Sequence, residues 1–166
     1  DETRGQMDTV RDAKFLPELY FMLADLYSKQ SRFQYTIKVR ENKGTPVEEL
    51  DFTAELRPKY QAIQVYDTIV EKFPNIEFVD RAVFYKAHEL RELGQAEEMI
   101  RTYQQLTRDY PKSKYWEEAQ LIVGNFQFDN EKNVEKALKT YRTIVVRKRN
   151  PLTAKAYERM GWCYIN

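Results

Sequence analysis

The fold is decided by residues 82–119, which read AVFYKAHELRELGQAEEMIRTYQQLTRDYPKSKYWEEA and contain one full period of a repeat. Small residues mark this period, because Ala87, Gly124 and Gly161 follow one another at intervals of 37 residues. Three further sets of landmarks keep a step of 37 to 40 residues: Ala82, Ala119 and Ala156; Tyr66, Tyr103 and Tyr141; Pro74, Pro111 and Pro151. A period of this length indicates stacked supersecondary units, which usually function by presenting a surface.

Composition and charge limit the classes of function. The 166 residues include 27 Lys and Arg against 26 Asp and Glu, and the formal net charge of +1 provides no global field to attract nucleic acid or an anionic membrane. A chain of this length suits one domain with a sizeable core. The single cysteine, Cys163, can form no intrachain disulfide and so identifies no redox compartment.

Neither a membrane span nor a signal peptide is predicted. The longest apolar run, residues 19–24, has about a third of the length that a membrane span needs. Residues 1–5 lack the apolar middle of a signal peptide. We therefore expect either a cytosolic protein or a targeting segment that lies outside this chain.

The first helix is predicted to be long. Apolar residues recur from Leu19 to Ile37 at the three-to-four-residue interval of one helix face. This helix is predicted to start at Pro17 and to be stopped by Gly44.

Glycine, proline and polar turns divide the rest of the chain into further helices. A capping box at residues 45–48 starts a second helix, which Pro58 is expected to kink or break before the helix resumes over residues 59–72. Residues 7–14 form either one short helix or the tail of a hairpin. The other predicted helices cover residues 80–93, 95–109, 114–128, 134–147 and the chain from about 152 onward.

Two sequence patterns resemble those of tetratricopeptide repeats (TPR). The first-helix pattern appears as Tyr20-x-x-Leu23-Ala24-x-x-Tyr27 and again as Tyr157-x-x-Met160-Gly161-x-x-Tyr164. The second-helix pattern precedes a proline and places Ala62, Met99 and Ala137 four residues before Tyr66, Tyr103 and Tyr141. The resemblance implies an all-α, right-handed superhelical solenoid of antiparallel helix pairs. In such pairs the aromatic residue of one helix fills the hole beside the small residue of its partner.

This resemblance implies a single TPR-like solenoid domain over residues 1–166. Its predicted parts are an N-terminal helix or tail (1–16), an elongated hairpin (17–74), two repeats (75–111 and 112–151) and an incomplete repeat (152–166). The elongated hairpin is interpreted as a protruding arm, a docking place for a partner or a cap on the solenoid, and the three interpretations stay open. Because the apolar last helix has no second helix, we expect the chain to be a fragment of a longer array, or another molecule to cover this end.

A shorter resemblance concerns the connection between hairpins. Residues 110–113, Tyr-Pro-Lys-Ser, lead into a helix with the pair Glu118-Ala119, and a similar segment is found in TolA-binding periplasmic proteins and in lipoproteins of outer-membrane protein assembly. This resemblance implies a scaffold in a bacterial cell-envelope complex, located in the periplasm or at the envelope. A cytoplasmic location is the alternative.

In the TPR family the first helix of each hairpin lines a concave groove, so the resemblance implies candidate peptide-groove residues in three repeats. These residues are Arg81, Phe84, Tyr85, His88 and Arg91; Leu121, Asn125 and Phe128; Lys155, Arg159 and Trp162. An apolar middle with cationic rims favours an extended or helical peptide that is partly aromatic and has acidic flanks. As an alternative, Phe84, Leu121 and Phe128 pack between hairpins.

Some TPR proteins clamp the terminal carboxylate of a partner with Lys, Asn and Arg side chains from three repeats, and only half of such a clamp is present. Lys155 and Arg159 stand at matching positions, whereas Phe84, His88 and Ile122 replace the other members. We do not expect carboxylate clamping of that kind. The alternative for Lys155 and Arg159 is a solvated cationic helix face.

No catalytic, cofactor-binding or metal-binding residues are predicted, and the protein is not expected to be an enzyme. His88 is the only histidine, no Cys or His cluster has the spacing of metal ligands, and Cys163 is interpreted as a buried helix residue. The basic residues 147–149 lie at the end of a predicted helix, where cations interact favourably with the helix dipole, so nucleic-acid binding is not predicted.

Two functions of different classes are therefore considered. The first is a protein-interaction scaffold that presents its groove to a peptide or protein segment. The second is a structural spacer or assembly subunit that makes end-to-end contacts, with self-association through the exposed C-terminal helix and no peptide ligand.

Overall fold

Seven α-helices make up the described part of the protein in a computed structural model, which describes residues 2–147 and 151–165 and the side chains of residues 15–147 and 152–165. The helices are α1 (Glu2–Glu41), α2 (Thr53–Lys72), α3 (Val79–Glu92), α4 (Ala96–Asp109), α5 (Trp116–Asp129), α6 (Val134–Val145) and α7 (Pro151–Ile165). These ranges contain one 3-10 turn and no strand. Helices that follow one another pack in pairs, which confirms the predicted all-α class and is consistent with a TPR-like helical solenoid.

Helix α1 begins earlier than predicted. It runs from Glu2 to Glu41 and contains Pro17, so the predicted start at Pro17 is wrong, and residues 7–14 lie within α1. A proline inside a helix removes one backbone donor and crowds the preceding turn, at a cost of roughly 3 kcal/mol, but it does not by itself end the helix. Pro17 is buried, and the packing of α1 on α2 offsets this cost.

The connection between α1 and α2 also differs from the prediction. The chain leaves α1 through Gly44, whose φ of +99° lies in the left-handed region that favours glycine. The predicted capping box starts only the 3-10 turn Val47–Glu49, and α2 begins at Thr53. There Asp51 Oδ1 accepts hydrogen bonds from the Thr53 hydroxyl at 2.6 Å and from its amide at 2.9 Å. These hydrogen bonds hold the pKa of Asp51 below its usual value.

Helix α2 continues through Pro58, so the predicted break is absent. Pro58 lies in the second turn, and its missing N–H removes a single hydrogen bond near the start of the helix. The ring is buried, and α2 packs on both α1 and α3. Tertiary packing of the whole helix therefore outweighs one lost backbone bond.

The chain divides into two compact units, Asp1–Gly94 and Gln95–Asn166. In the N-terminal unit the helices α1 and α3 both pack against α2. The core of this unit contains Phe21, Ala24, Ala62, Tyr66, Ile69 and Ala82. The opposite face of α1 carries Leu19, Leu23 and Leu26, which stay 38% to 60% exposed. Helix α1 thus has one packed face and one exposed apolar face.

In the C-terminal unit α5 packs against α4, α6 and α7. The core contains Trp116, Leu121, Ala137, Tyr141, Ile144, Ala156 and Cys163. A Cβ atom on Gly124 would lie only 2.5 Å from Tyr141 Cε1, so the predicted fit of an aromatic ring beside a small residue is confirmed at this position. A Cβ on Gly161, by contrast, would meet no described atom within 4 Å.

Candidate functional site

A cleft of about 660 Å³ opens in the N-terminal unit between α1 and α3. The lining of this α1–α3 cleft comes from three helices: Glu18, Phe21, Met22, Asp25, Ser28 and Arg32 of α1; Tyr66 of α2; Arg81, Tyr85 and Glu89 of α3. On α1 and α3 these residues recur every three or four positions, which places them on one face of each helix. The two helix faces therefore form the walls of the cleft.

The floor of the cleft is aromatic. Phe21 and Tyr66 are 7% and 3% exposed, and their rings meet edge to face with centroids 5.5 Å apart. The half-buried ring of Tyr85 lies 6.0 Å from Phe21 and 6.3 Å from Tyr66. Burial, together with the nearby Glu89 carboxylate, raises the pKa of the Tyr66 hydroxyl, which therefore stays protonated at neutral pH. The floor offers apolar surface to a ligand.

Arg81 supplies a cation that stacks on this floor. Its Cζ atom lies 3.9 Å from the centroid of the Phe21 ring and 5.3 Å from that of Phe78, which are cation–π distances. Within the residues that the structure describes, the buried Nε–H of Arg81 has no acceptor and the side chain makes no ion pair. Because a guanidinium carries five N–H donors, Arg81 brings unused donor capacity to the cleft.

A buried ion-pair network lies beneath the cleft. Lys59 of α2 and Glu89 of α3 are only 4% and 7% exposed. Lys59 Nζ donates to Glu89 Oε2 at 3.0 Å and also to Glu92 Oε2. Ser28 Oγ of α1 donates to the other oxygen of Glu89 at 2.6 Å. Both oxygens of the buried carboxylate are thus engaged, which compensates its desolvation and ties three helices together.

The network also changes the acidity of Glu92. Partial burial acts to raise the pKa of its carboxyl group, but the hydrogen bond and the charge of Lys59 outweigh burial, so the pKa lies below the usual value. Glu92 is therefore ionised at neutral pH and contributes a second negative charge that neutralises Lys59.

Two of the five predicted groove residues on α3, Arg81 and Tyr85, line the cleft. Phe84 is buried, and its ring centroid lies 4.6 Å from that of His88, so its burial agrees with the packing alternative. His88 is half-buried and Arg91 is exposed, and neither belongs to the cleft lining. The structure thus brings together the part of the α3 set that faces α1.

The predicted groove residues of the C-terminal unit differ in their surroundings. Leu121 is buried in the core, which agrees with the packing alternative. Asn125 Oδ1 accepts a hydrogen bond from the Tyr141 hydroxyl at 2.9 Å. The exposed or half-buried members of the set are Asn125, Phe128, Lys155, Arg159 and Trp162. A binding role for these five residues stays a prediction.

The contribution of α1 to the cleft is not predicted by the 37-residue step, because the elongated first hairpin interrupts it. The candidate residues on α3 lie at offsets of −6, −3, −2, +1 and +4 from Ala87. The same offsets from Ala24, the small residue of the first motif, give Glu18, Phe21, Met22, Asp25 and Ser28, and all five line the cleft. The motif around Ala24 is therefore the sequence signal that locates this wall.

Other chemistry finds little support in the described residues. Among them, no group of three or more His, Cys, Asp and Glu side chains is placed to hold a metal ion. In the same ranges, no helix has the length and apolar character needed to cross a membrane. Cys163 is buried, as predicted, and burial raises the pKa of its thiol. Lys148 and Arg149 of the basic run lie outside the described residues.

The helix pairs and the cleft define the class of the protein as a helical-repeat protein with a surface suited to binding another chain. A family model of the tetratricopeptide repeat matches residues 85–113, which cover the second half of α3, all of α4 and the connection to α5. This match supports the resemblance to the TPR superfamily, whose repeats are protein-interaction units rather than catalytic ones. No curated protein matches the chain significantly.

Proposed function

We propose that this protein is a protein-interaction scaffold that receives a peptide or protein segment in the α1–α3 cleft. The observation that carries the proposal is the cleft itself, which has a volume of about 660 Å³, an aromatic floor and charged walls. Binding pockets typically have volumes of roughly 300–1,000 Å³. The match of residues 85–113 to an interaction repeat supports the same class of function.

The surface of the cleft suits a peptide that carries an apolar side chain. Met22 is 62% exposed and Tyr85 is 39% exposed, so an incoming side chain would remove both from water while it packs against the floor. The ion pair of Lys59 and Glu89 fixes α2 and α3 beneath the cleft, and this reduces the ordering that binding requires.

The proposal includes a bacterial cell-envelope complex as the setting, with the protein in the periplasm or at the envelope. Its support is the similarity of residues 110–113 and the following helix to the connections of envelope TPR proteins. A cytoplasmic scaffold is the alternative. Fractionation of the tagged full-length gene product between periplasmic and cytosolic extracts distinguishes the two locations.

A second candidate function, that of a spacer or assembly subunit, is favoured by exposed apolar side chains on two helices. On α1, Leu19 and Leu26 are 56% and 60% exposed, and on α7, Tyr164 and Ile165 are 67% and 79% exposed. Clustered apolar exposure of this kind is typical of protein contact surfaces. In this function copies of the chain associate end to end and the cleft stays empty.

Selection from a random-peptide library on the whole chain tests the two functions. Selected peptides are expected to protect residues 18–32 and 81–89 from hydrogen–deuterium exchange and to bind weakly to Tyr85→Ala. Tyr60→Ala is the matched control, because Tyr60 is similarly exposed on α2 but does not line the cleft. Protection confined to other helices would overturn the cleft assignment. An empty selection, with association that increases with concentration in light scattering, would establish the spacer.

A further inference from the structure

Arg81 has hydrogen-bond donors that the described residues do not use. Its guanidinium lies over Phe21, and the Nε–H is buried without an acceptor among the residues that the structure describes. Buried donors without a partner are rare and unfavourable. The position of Arg81 on the cleft lining therefore indicates that an acceptor arrives with the ligand.

A second stacked arginine shows how the same arrangement is completed within the chain. The Cζ atom of Arg147 lies 3.3 Å from the centroid of the Trp116 ring. Arg147 Nη1 donates to the Pro111 carbonyl at 3.1 Å and lies 3.8 Å from a carboxylate oxygen of Glu117. Stacking on an aromatic ring is combined there with oxygen acceptors from the protein itself. Arg81 has the stacking partner alone.

The carboxylates that line the cleft do not complete Arg81. Asp25 pairs with Lys29 at 2.5 Å, and Glu89 is held by Lys59. Glu18 is exposed and makes no ion pair in the part of the chain whose side chains are described. The acids of the cleft are thus engaged elsewhere or directed to water.

We propose that Arg81 binds the side-chain carboxylate of an Asp or Glu residue of the peptide in the cleft, while a neighbouring apolar side chain of that peptide packs on Tyr85. This inference rests on the proposed scaffold function. A carboxylate matches the planar fork of a guanidinium with two parallel N–H···O hydrogen bonds. Because Phe21 already holds the guanidinium, the pair forms with little reorganisation of the cleft.

A carboxylate fits this site better than a phosphate does. The cleft lining contains Glu18, Asp25 and Glu89 in addition to the arginines. A phosphoryl group carries about −1.5 to −2 charges at neutral pH, so these carboxylates repel it more strongly than they repel the single charge of Asp or Glu.

The test uses fluorescently labelled hexapeptide mixtures with amidated C-termini and fluorescence polarisation with the whole chain. The third position is fixed as glutamate, glutamine or phosphoserine, and the other positions are drawn from Leu, Tyr, Ala and Ser. We expect the glutamate mixture to bind about tenfold more tightly than the glutamine mixture, because only glutamate forms the charge-assisted pair. A further glutamine mixture with free C-termini tests the terminal carboxylate as a competing ligand.

Substitutions assign this preference to Arg81. Arg81→Gln is expected to remove the preference for glutamate and to keep the binding of the glutamine mixture. Arg81→Lys keeps the charge but loses the fork, so it should retain only part of the preference. Arg147→Gln is the matched control and should retain all of it. If Arg81→Gln does not fold, as judged by circular dichroism, the Lys variant decides, and a full preference in that variant overturns the fork geometry.

The remaining outcomes separate this inference from the scaffold function. Equal binding of the glutamate and glutamine mixtures overturns the role of Arg81 and leaves the scaffold function standing. Tighter binding of phosphoserine, or of the mixture with free C-termini, overturns the side-chain carboxylate as the ligand group. Absence of binding by every mixture overturns the scaffold function and this inference with it.

Discussion

The two compact units of this protein complete their helix pairs in different ways. In the N-terminal unit the buried pair of Lys59 and Glu89 lies beneath an open aromatic cleft. In the C-terminal unit the ring of Tyr141 fills the space beside Gly124 and belongs to a closed apolar core. The difference shows that a polar network can support helices without filling the space between their outer faces, whereas close packing of a ring against glycine leaves no such space.

Removal of the buried cation should have the largest effect on this comparison. Lys59→Met leaves the buried Glu89 without its ion-pair partner, and we expect the free energy of unfolding to fall by about 3–5 kcal/mol. Urea denaturation followed by circular dichroism measures the change. In the control Lys29→Met, an exposed pair with Asp25 is lost, and the expected cost is under about 1 kcal/mol. Similar losses in the two variants would contradict the structural role of the buried network.

The closed packing of the C-terminal unit can be tested at its glycines. Gly124→Ala places a methyl group against the Tyr141 ring, and we expect a loss of about 1–3 kcal/mol of stability. Gly161→Ala meets open space on a helix, so it should stabilise the protein by roughly 0.5–1 kcal/mol. Both tryptophans, Trp116 and Trp162, belong to this unit, and thermal unfolding followed by their fluorescence measures both effects. Equal shifts in the two variants would contradict the close packing at Gly124.

The two stacked arginines should differ in their contribution to stability. Arg147→Gln loses the stacking on Trp116 and the hydrogen bond to the Pro111 carbonyl, with an expected cost of about 1–2 kcal/mol. Arg81→Gln loses stacking alone and should cost about 0.5–1 kcal/mol. Urea denaturation of both variants gives the values. A larger loss at Arg81 would indicate that this residue serves the fold rather than a ligand.

Acid should weaken the N-terminal unit through Glu92, with the smallest of the four effects. The pKa of Glu92 in the folded protein lies below the ordinary value of 4.5. Its stabilising contribution is therefore fully present above about pH 4.5 and is lost as the pH falls through the lower, folded-state pKa. The carboxylate is partly exposed, and solvent screening limits the effect. Urea denaturation at several pH values below 5 should show a shallower decline for Glu92→Gln than for the unaltered chain.

Local stop signals explain why most helices are predictable from the sequence. Helices α3 to α6 begin and end within two residues of their predicted bounds, because Gly94 and Pro111 interrupt the backbone at these places. The start of α1 and the continuity of α2 are not predictable in this way. Pro17 and Pro58 each remove one backbone bond, and whether the helix continues depends on tertiary packing that the local sequence does not reveal.

The cleft is predictable in part. The repeat places Arg81 and Tyr85 on the correct face of α3, but the contact of Arg81 with Phe21 joins positions 60 residues apart. Phe84 and Leu121 also lie on predicted groove faces and are nevertheless buried. Burial depends on which neighbouring helix covers each part of a face, and helical periodicity alone does not contain that information.

The exposed connection after α1 offers a practical use. Residues 41–49 are exposed and none of them lines the cleft. Glu41 lies nine residues beyond Arg32, the last residue of α1 in the lining, which corresponds to about 13 Å along a helix. A fluorophore or an affinity tag inserted beside Gly44 would therefore anchor the protein to a sensor chip with the cleft facing the injected sample.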